Sequence, residues 1–523
     1  MSYDTAKPFN PEWLFSSGYV DNTPEHKLAD MFSPYLRNAR LDGNAIINRP
    51  WHSLHVTLTS GDYPRGLSSY LREDSANNVM LVRHNIDATH KLNTVTVWWT
   101  VVDIVTASNI LSDNRMNFIN VSDSIYCMNG SDDFWKLNWI AYTLPTTWIT
   151  NFSPAFGVWF NSSLFVSWYA WALDKVYKSV WNDYENFSWL GSDSFDFVET
   201  ITWLSSNLQA LFYFTKNTIS VTWVWDIQDI WWAINYSTRA LTVKEWANNH
   251  NCIVNAWNNV FFITPSNKIA RVVVWNNIDW FEVLELSERK HAWISKIMST
   301  LDLTQDDAFG YFISKDNLVK WFLKSKWANF NDTCIIYDIT KDCFLVDDNK
   351  YFYDWITFEG KNYTISTIEP KLFQDEFGTD DEWAAINFRY ETKYFDLWIP
   401  TRKKELWESR TYVAINELAE LKQNVVIDWN VIDTKIIDNS NIPISTGWIW
   451  TYAIGTAKIW TWWDTDDTDL IYVDLIRTKG NLQVKGKKIK FIYINNTVWG
   501  KIRLEDLEMK IEVLPPEATN LTK

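Results

Sequence analysis

Residues 309–343, FGYFISKDNLVKWFLKSKWANFNDTCIIYDITKDC, hold three short apolar runs separated by polar, turn-forming residues. FGYFIS (309–314), the run around Trp321, and CIIYDI (334–339) are rich in Phe, Tyr, Ile and Val, the residues that suit a pleated, half-buried surface. Cys334 and Cys343 fall on the two sides of an expected hairpin through IIYDITKDC, as a reduced pair in the core. Runs of the same kind recur through the chain: VMLVRH (79–84), SIYCM (124–128), LFVSW (164–168), ALFYF (210–214) and NVFFIT (259–264). Helical spacing is confined to LSERKHAWISKIMSTL (286–301) and AINELAELK (414–422). The fold class is therefore all-β.

Strand pairs of this kind recur near residues 79, 117, 157, 210, 253, 310 and 334, mostly about 40–55 residues apart, the period of a four-stranded propeller blade. A single hairpin unit cannot bury both faces, so the units must stack. We expect a six- or seven-bladed β-propeller over 61–375, with a hairpin over 1–60 completing the first blade and closing the propeller. The acidic, turn-rich FQDEFGTDDEW (373–383) marks a boundary. Beyond it, longer alternating strands such as VVIDWNVIDTKII (425–437) and KKIKFIYINN (487–496) predict a C-terminal β-sandwich over 376–523.

Two residue counts are abnormal. The 523 residues include 35 tryptophans and 15 glycines, whereas a chain of this length ordinarily carries about 37 glycines. Tryptophan also stands where turns call for glycine: Trp98-Trp99 splits two strand-like runs, and Asp279-Trp280, Asp354-Trp355 and Asp428-Trp429 occupy the place of Asp-Gly turn pairs. Trp257-Asn258-Asn259, Trp275-Asn276-Asn277 and 460–464 are further turn contexts. Such turns often need φ > 0, which glycine accepts freely. The pattern is that of a gene whose UGA codons specify glycine but are written as tryptophan, as in some bacterial lineages and their phages. Trp159 and Trp321, inside apolar runs, read as genuine tryptophans.

Several short motifs occur in a fixed order: Gly18, Asn22-Thr23-Pro24, Leu28-Ala29-Asp30, Asn38-Ala39-Arg40, Arg49-Pro50-Trp51 and Pro64-Arg65-Gly66-Leu67. They are followed by Arg115, Asn117, Phe118, Tyr126 and Asn129-Gly130-Ser131, and later by TKYFDLWIPTRKK (392–404). In this order they resemble a family of tailed-phage virion proteins built on a β-propeller. Trp51 and Trp398 stand where that family has glycine. The resemblance implies a structural, non-catalytic virion component of the tail hub, nozzle or head–tail neck. It would form a ring with copies of itself and contact neighbouring tail or neck proteins. A glycan-binding or glycan-cleaving propeller is the alternative, requiring genuine tryptophans beside paired carboxylates at a channel mouth.

No nucleophile elbow, zincin, P-loop or EF-hand motif is present. With Trp read as Gly, 448–453 mimics a dinucleotide-binding motif, but Pro443 and the following β-like run deny it the strand–turn–helix context. His52 and His55 lack further metal ligands nearby in sequence. Asp464, Asp466, Asp467 and Asp469 form a weak calcium candidate, with a solvated acidic turn as the plainer reading. No catalytic residue and no cofactor is assigned. Net charge is −16, which opposes tight nucleic-acid binding and leaves at most weak contact with passing DNA. The basic clusters are Arg402-Lys403-Lys404 and Lys485, Lys487, Lys488 and Lys490; the alternation in 485–490 suits a blunted edge or a subunit contact. The amino terminus has no basic-then-apolar leader, and the apolar window 152–173 is broken by Ser153, Pro154 and Asn161–Ser163. We therefore expect no membrane contact, synthesis in the host cytoplasm, and residence in the virion.

Overall fold

The computed structural model describes residues 7–9 and 33–514, apart from 51, 59–63, 71–77, 87–88, 97–100, 106–113, 139–141, 144–148, 150–151, 170–171, 188–191, 208–209, 224–227, 231–232, 236–237, 243–246, 275–280, 290–293, 304–306, 377–384, 396–402, 417, 438–470, 479–483 and 499. The chain is all-β. Among the described residues, seven antiparallel sheets of the same plan follow one another from residue 64 to residue 375. Their first strands are Pro64–Tyr70, Asn117–Val121, Phe156–Phe160, Ile201–Ser206, Val254–Ala256, Leu301–Asp302 and Phe352–Phe358; in the sixth, Leu301–Asp302 and Phe309–Ile313 both pair with Leu318–Ser325. The apolar run at 334, expected to open a unit, lies within the sixth sheet as Thr333–Asp338; the seventh sheet opens at Phe352.

The period-two alternation of each strand explains how the sheets stack. In the second sheet, Ile125 and Cys127 pack on the first sheet, while Tyr126 and Met128 pack on the third. In the fourth, Leu211 and Tyr213 face the third sheet, and Ala210, Phe212 and Phe214 face the fifth. A strand buried on both faces needs apolar residues at every position, which is why ALFYF reads as an unbroken run. Closure is the informative step. Leu67, Met80 and Val82 of the first sheet share a core with Tyr353, Tyr363 and Leu372 of the seventh, so the packing returns on itself. The seventh sheet's fourth strand comes from the other end of the chain: His52–Thr57 pairs with Lys371–Asp375.

Among the described residues of 1–60, only His52–Thr57 joins the seven sheets, and it completes the seventh and not the first; Lys7–Phe9 and Ala45–Asn48 pair with Ile502–Val513, and Tyr35–Arg37 pairs with Phe388–Glu391. Two larger sheets result. One runs Tyr35–Arg37, Phe388–Glu391, Ile489–Asn495, Leu421–Ile427, Asn430–Ile437; the other centres on Lys404–Ile415 and Ile502–Val513. Gln423 of the first donates to Thr411 Oγ1 of the second at 2.8 Å and to the Tyr493 hydroxyl at 3.1 Å.

Helix is scarce among the described residues: Leu286–Arg289, Ser295–Met298 and a 3-10 turn at His250–Cys252. None is long and apolar enough to cross a membrane. The helix expected over 414–422 is absent, because its ends belong to the strands Lys404–Ile415 and Leu421–Ile427, whose pairing outweighs local spacing.

The described tryptophans differ in setting. Trp321 is fully buried and donates through Nε1 to the Cys252 carbonyl at 2.9 Å, and Trp135 is also buried, whereas Trp159 lies in the strand Phe156–Phe160 but is 46% exposed. Trp257 and Trp429 sit in two-residue hairpin loops with φ of 55° and 77°, and both are exposed. Trp355 departs from expectation. It lies within the strand Phe352–Phe358 and stacks on Tyr311 with ring centres 3.8 Å apart, so Asp354-Trp355 is not a turn.

Candidate functional site: a hub cavity and a buried ionic joint

The first strands of the sheets converge, and residues at or just before their starts line one cavity of about 310 Å³. Arg65 comes from the first sheet, Arg115 and Asn117 from the approach to the second, and Phe156 from the third. His250 and Asn251 precede the fifth sheet, Asp307 precedes the strand Phe309–Ile313 of the sixth, and Tyr353 belongs to the seventh. Both guanidinium groups stand over the Tyr353 ring, Arg115 at 5.1 Å and Arg65 at 5.3 Å from its centre. Arg115 Nη2 donates to Asp354 at 2.8 Å, and Asp354 also accepts from the Leu67 amide at 2.9 Å. Burial pushes the Asp354 carboxyl up from its ordinary value even though Arg115 pulls the other way. Arg65 contacts Asp307 more loosely, at 3.3 Å and with about a third of each side chain exposed. His250 is pushed down to about 4 by burial and by Arg115, which keeps it neutral, and it stacks on Trp203.

The asparagines around the cavity are already engaged. Asn117 donates to the Ala155 carbonyl at 2.8 Å; Asn129 accepts from the Ser131 and Asp132 amides. Gly130 between them has φ of 79° and lies so close to Ala155 that an added Cβ would sit 2.9 Å from its Cβ. The Asn129-Gly130-Ser131 motif is thus a backbone requirement of the cavity wall.

A second polar cluster is solid rather than hollow. Arg40 binds Asp347 through both terminal nitrogens, at 2.9 and 2.7 Å, and reaches Glu376 at 3.1 Å. Asp375, fully buried, takes Lys350 at 2.7 Å, Lys320 at 3.2 Å and the Tyr311 hydroxyl at 3.1 Å. Lys320 also pairs with Glu376. Burial alone would raise the Asp375 carboxyl, but Lys320 and Lys350 hold it well below the usual range. Nearby, Asn38 at φ 53° accepts from Arg49 Nε at 3.1 Å and from the Asp348 amide at 2.9 Å. This cluster ties the sixth and seventh sheets to the strand Ala39–Asp42 of the larger C-terminal sheet.

The residues singled out from sequence distribute as follows. His52 packs edge-on between Phe352 and Phe373, and His55 lies against Tyr363, with burial lowering its pKa. Three positions apart on one strand, they are on opposite faces. No group of three metal-ligating side chains occurs among the described residues. Asp464, Asp466, Asp467 and Asp469, and 448–453, lie outside them. Cys334 pairs in register with Asp347 and Cys343 with Asp338, which separates the two buried, reduced thiols along the ladder. The basic clusters are only partly at the surface. Lys404 is buried and donates to the Lys487 carbonyl, and Lys490 pairs with buried Glu391. Asp307, His250 and Tyr353 belong to none of the sequence motifs; their position near the first strands of successive units is the signal that collects them.

No protein-family model and no curated protein matches this chain. Among solved structures it is similar to YCF48 bound to D1 peptide, at 12% identity and a TM-score of 0.39, covering 62% of this chain and 97% of that one. It is also similar to YCF48 from Cyanidioschyzon merolae, at 9% identity and a TM-score of 0.38, covering 62% and 98%.

Proposed function

We propose that this chain is a non-catalytic structural component of a bacteriophage virion, at the tail hub, nozzle or head–tail neck. Its seven cyclically packed sheets are read as the blades of a propeller and its two larger sheets as a C-terminal sandwich. The observation that carries the proposal is where the phage-like motifs fall. Asn38, Arg40 and Arg49 build the ionic joint, and Thr392 and Phe395 bond to Phe491 and Ile489 within the C-terminal unit. Arg65, Arg115, Asn117 and Asn129 line the hub cavity. The shared motifs therefore coincide with the residues that hold the architecture together, as expected of a part whose function is shape.

Assembly into a ring is read from the edge strand Asn430–Ile437, which exposes Val431, Ile432 and Ile436 by 56%, 51% and 44%. Three apolar side chains on one sheet edge suit a subunit contact. Recoding of UGA as glycine belongs to the same proposal. Asp428-Trp429 has φ of 45° and 77°, nearly the 50° and 74° of Glu359-Gly360, so a tryptophan occupies the backbone of a glycine turn. Mass spectrometry of purified virions tests both points. Peptides of this chain should be abundant, with glycine at 429; absence from virions that contain portal and tail proteins would refute the assignment.

A further inference from the structure

We propose that copies of this chain associate head to tail, the outer face of one copy's five-stranded C-terminal sheet seating on the rim of the next copy's third sheet. The inference rests on the ring assembly proposed above and names the surface that its edge strand meets. Gln423 turns toward Thr411 of the other large sheet, so its neighbour Lys422 turns outward. Register then places Arg37, Arg389, Ile494, Lys422 and Ile436 in one row across the outer face, with Lys490 and Val431 beside it. Four cations stand on this face, Arg37, Arg389, Lys422 and Lys490; the carboxylates that meet them are Glu391 on the same face and Asp348 of the sixth sheet. Lys422, Val431 and Ile436 are exposed, and they lie at the edge farthest from Tyr35–Arg37, the strand whose Arg37 binds the sixth sheet.

The complement lies at the opposite pole. Arg40 joins the C-terminal unit to Asp347 of the sixth sheet and to Glu376, just past the seventh sheet's strand Lys371–Asp375; in a cycle of seven the third sheet is farthest from that joint. Residues 172–199, which include the third sheet's last two strands Ala172–Lys178 and Asp193–Asp196, carry six carboxylates and two lysines, of which Lys178 is buried. Lys136 meets Glu185 and Lys175 meets Asp196, which still leaves the rim acidic. Leu173 and Val198 are exposed among these carboxylates, as Val431 and Ile436 are among the cations. A two-fold contact through either surface would set like charge on like charge, which disfavours it. A contact between the two surfaces pairs opposite charges and apolar side chains. Because it joins opposite poles it is heterologous, the kind of contact that builds rings.

Sedimentation velocity of the full chain and of charge-reversed variants tests the contact. Association of the parent should weaken as salt rises. Asp174→Lys with Asp193→Lys, on the rim, and separately Lys422→Glu, on the sheet, should each weaken association about tenfold or more, since each sets like charges together. Mixing the two variants should restore association, because the reversed sheet meets the reversed rim while the unaltered sheet meets the unaltered rim. Such recovery cannot come from misfolded chains, and the salt dependence of the parent needs no variant. Rim variants that associate like the parent, folded variants that stay apart when mixed, or association indifferent to salt would each overturn the head-to-tail contact while leaving ring assembly standing. A parent chain that does not self-associate would overturn both.

Discussion

Asp375 offers the sharpest test of how the seven sheets are fastened to the rest of the chain. At its centre Arg40, Lys320 and Lys350 pair with Asp347, Asp375 and Glu376, and both lysine side chains are only 1% exposed. Asp375→Asn keeps the shape and leaves one positive charge uncompensated. Breaking a buried pair from one side costs about 3–5 kcal/mol, a large part of the 5–15 kcal/mol that typically separates folded from unfolded chains. Adding Lys350→Met restores neutrality, so the double variant should recover part of the loss, with a coupling of about 1–3 kcal/mol. Guanidinium unfolding of the four proteins in the cycle measures both quantities. The pH dependence follows from the same geometry. Because the folded carboxyl is held below its unfolded value, its stabilisation is complete above about pH 4 and fades as pH falls through the folded pKa. The gap between parent and Asp375→Asn should therefore narrow below about pH 4. A loss under about 1 kcal/mol, or simple additivity in the double variant, would show that the joint is not an electrostatic unit.

Other outcomes follow from the packing. Trp429→Gly should change stability by no more than about 1 kcal/mol, since relief of left-handed strain offsets the lost contacts with Tyr394 and Lys488. Trp321→Gly, which empties a fully buried site and orphans the Cys252 carbonyl, should cost about 3–5 kcal/mol or more; comparable losses in thermal melts would undo the contrast between Trp321 and Trp429. Val431→Lys with Ile432→Lys should abolish self-association by light scattering while leaving the melting temperature unchanged, and persistence of the oligomer would remove that edge from the interface. The four cysteines are buried, with burial pushing the Cys252 thiol up to about 12, so a thiol reagent at pH 8 should label none before unfolding. Fast labelling of native protein would contradict the described core.

The all-β class and most of the repeats were legible because the same physics acts on every unit. A strand buried on both faces must be apolar throughout, and ALFYF or CIIYDI shows that directly. Unit boundaries were less legible. The sixth sheet's strands Leu318–Ser325 and Thr333–Asp338 are both apolar runs, and nothing local says which opens a sheet. Turn chemistry was legible at Asp428-Trp429, where the backbone has the form that Asp-Gly would take. It misled at Asp354-Trp355, where Asp354 is drawn inward by Arg115 and the Leu67 amide, and the chain continues as a strand.

What the sequence hid is long-range by nature. Arg40 and Asp347 are 307 positions apart, and Arg115 and Asp354 are 239; neither pair has any periodicity to betray it. The same holds for the closing strand, since His52–Thr57 pairs with Lys371–Asp375 across the whole run of intervening sheets. Residues 35–48 are pinned to strands near 388–391 and 502–513, while 52–57 is pinned at 371–375, so one short connection spans both units. Asp375 ends the strand that receives His52–Thr57 and Glu376 follows it, and their cationic partners include Arg40 from Ala39–Asp42, two strands before His52–Thr57. The ionic cluster thus sits where cyclic packing closes and where the C-terminal unit is attached. Loosening it should disturb both together, which is why its charges are balanced in a place where apolar side chains would pack at lower desolvation cost.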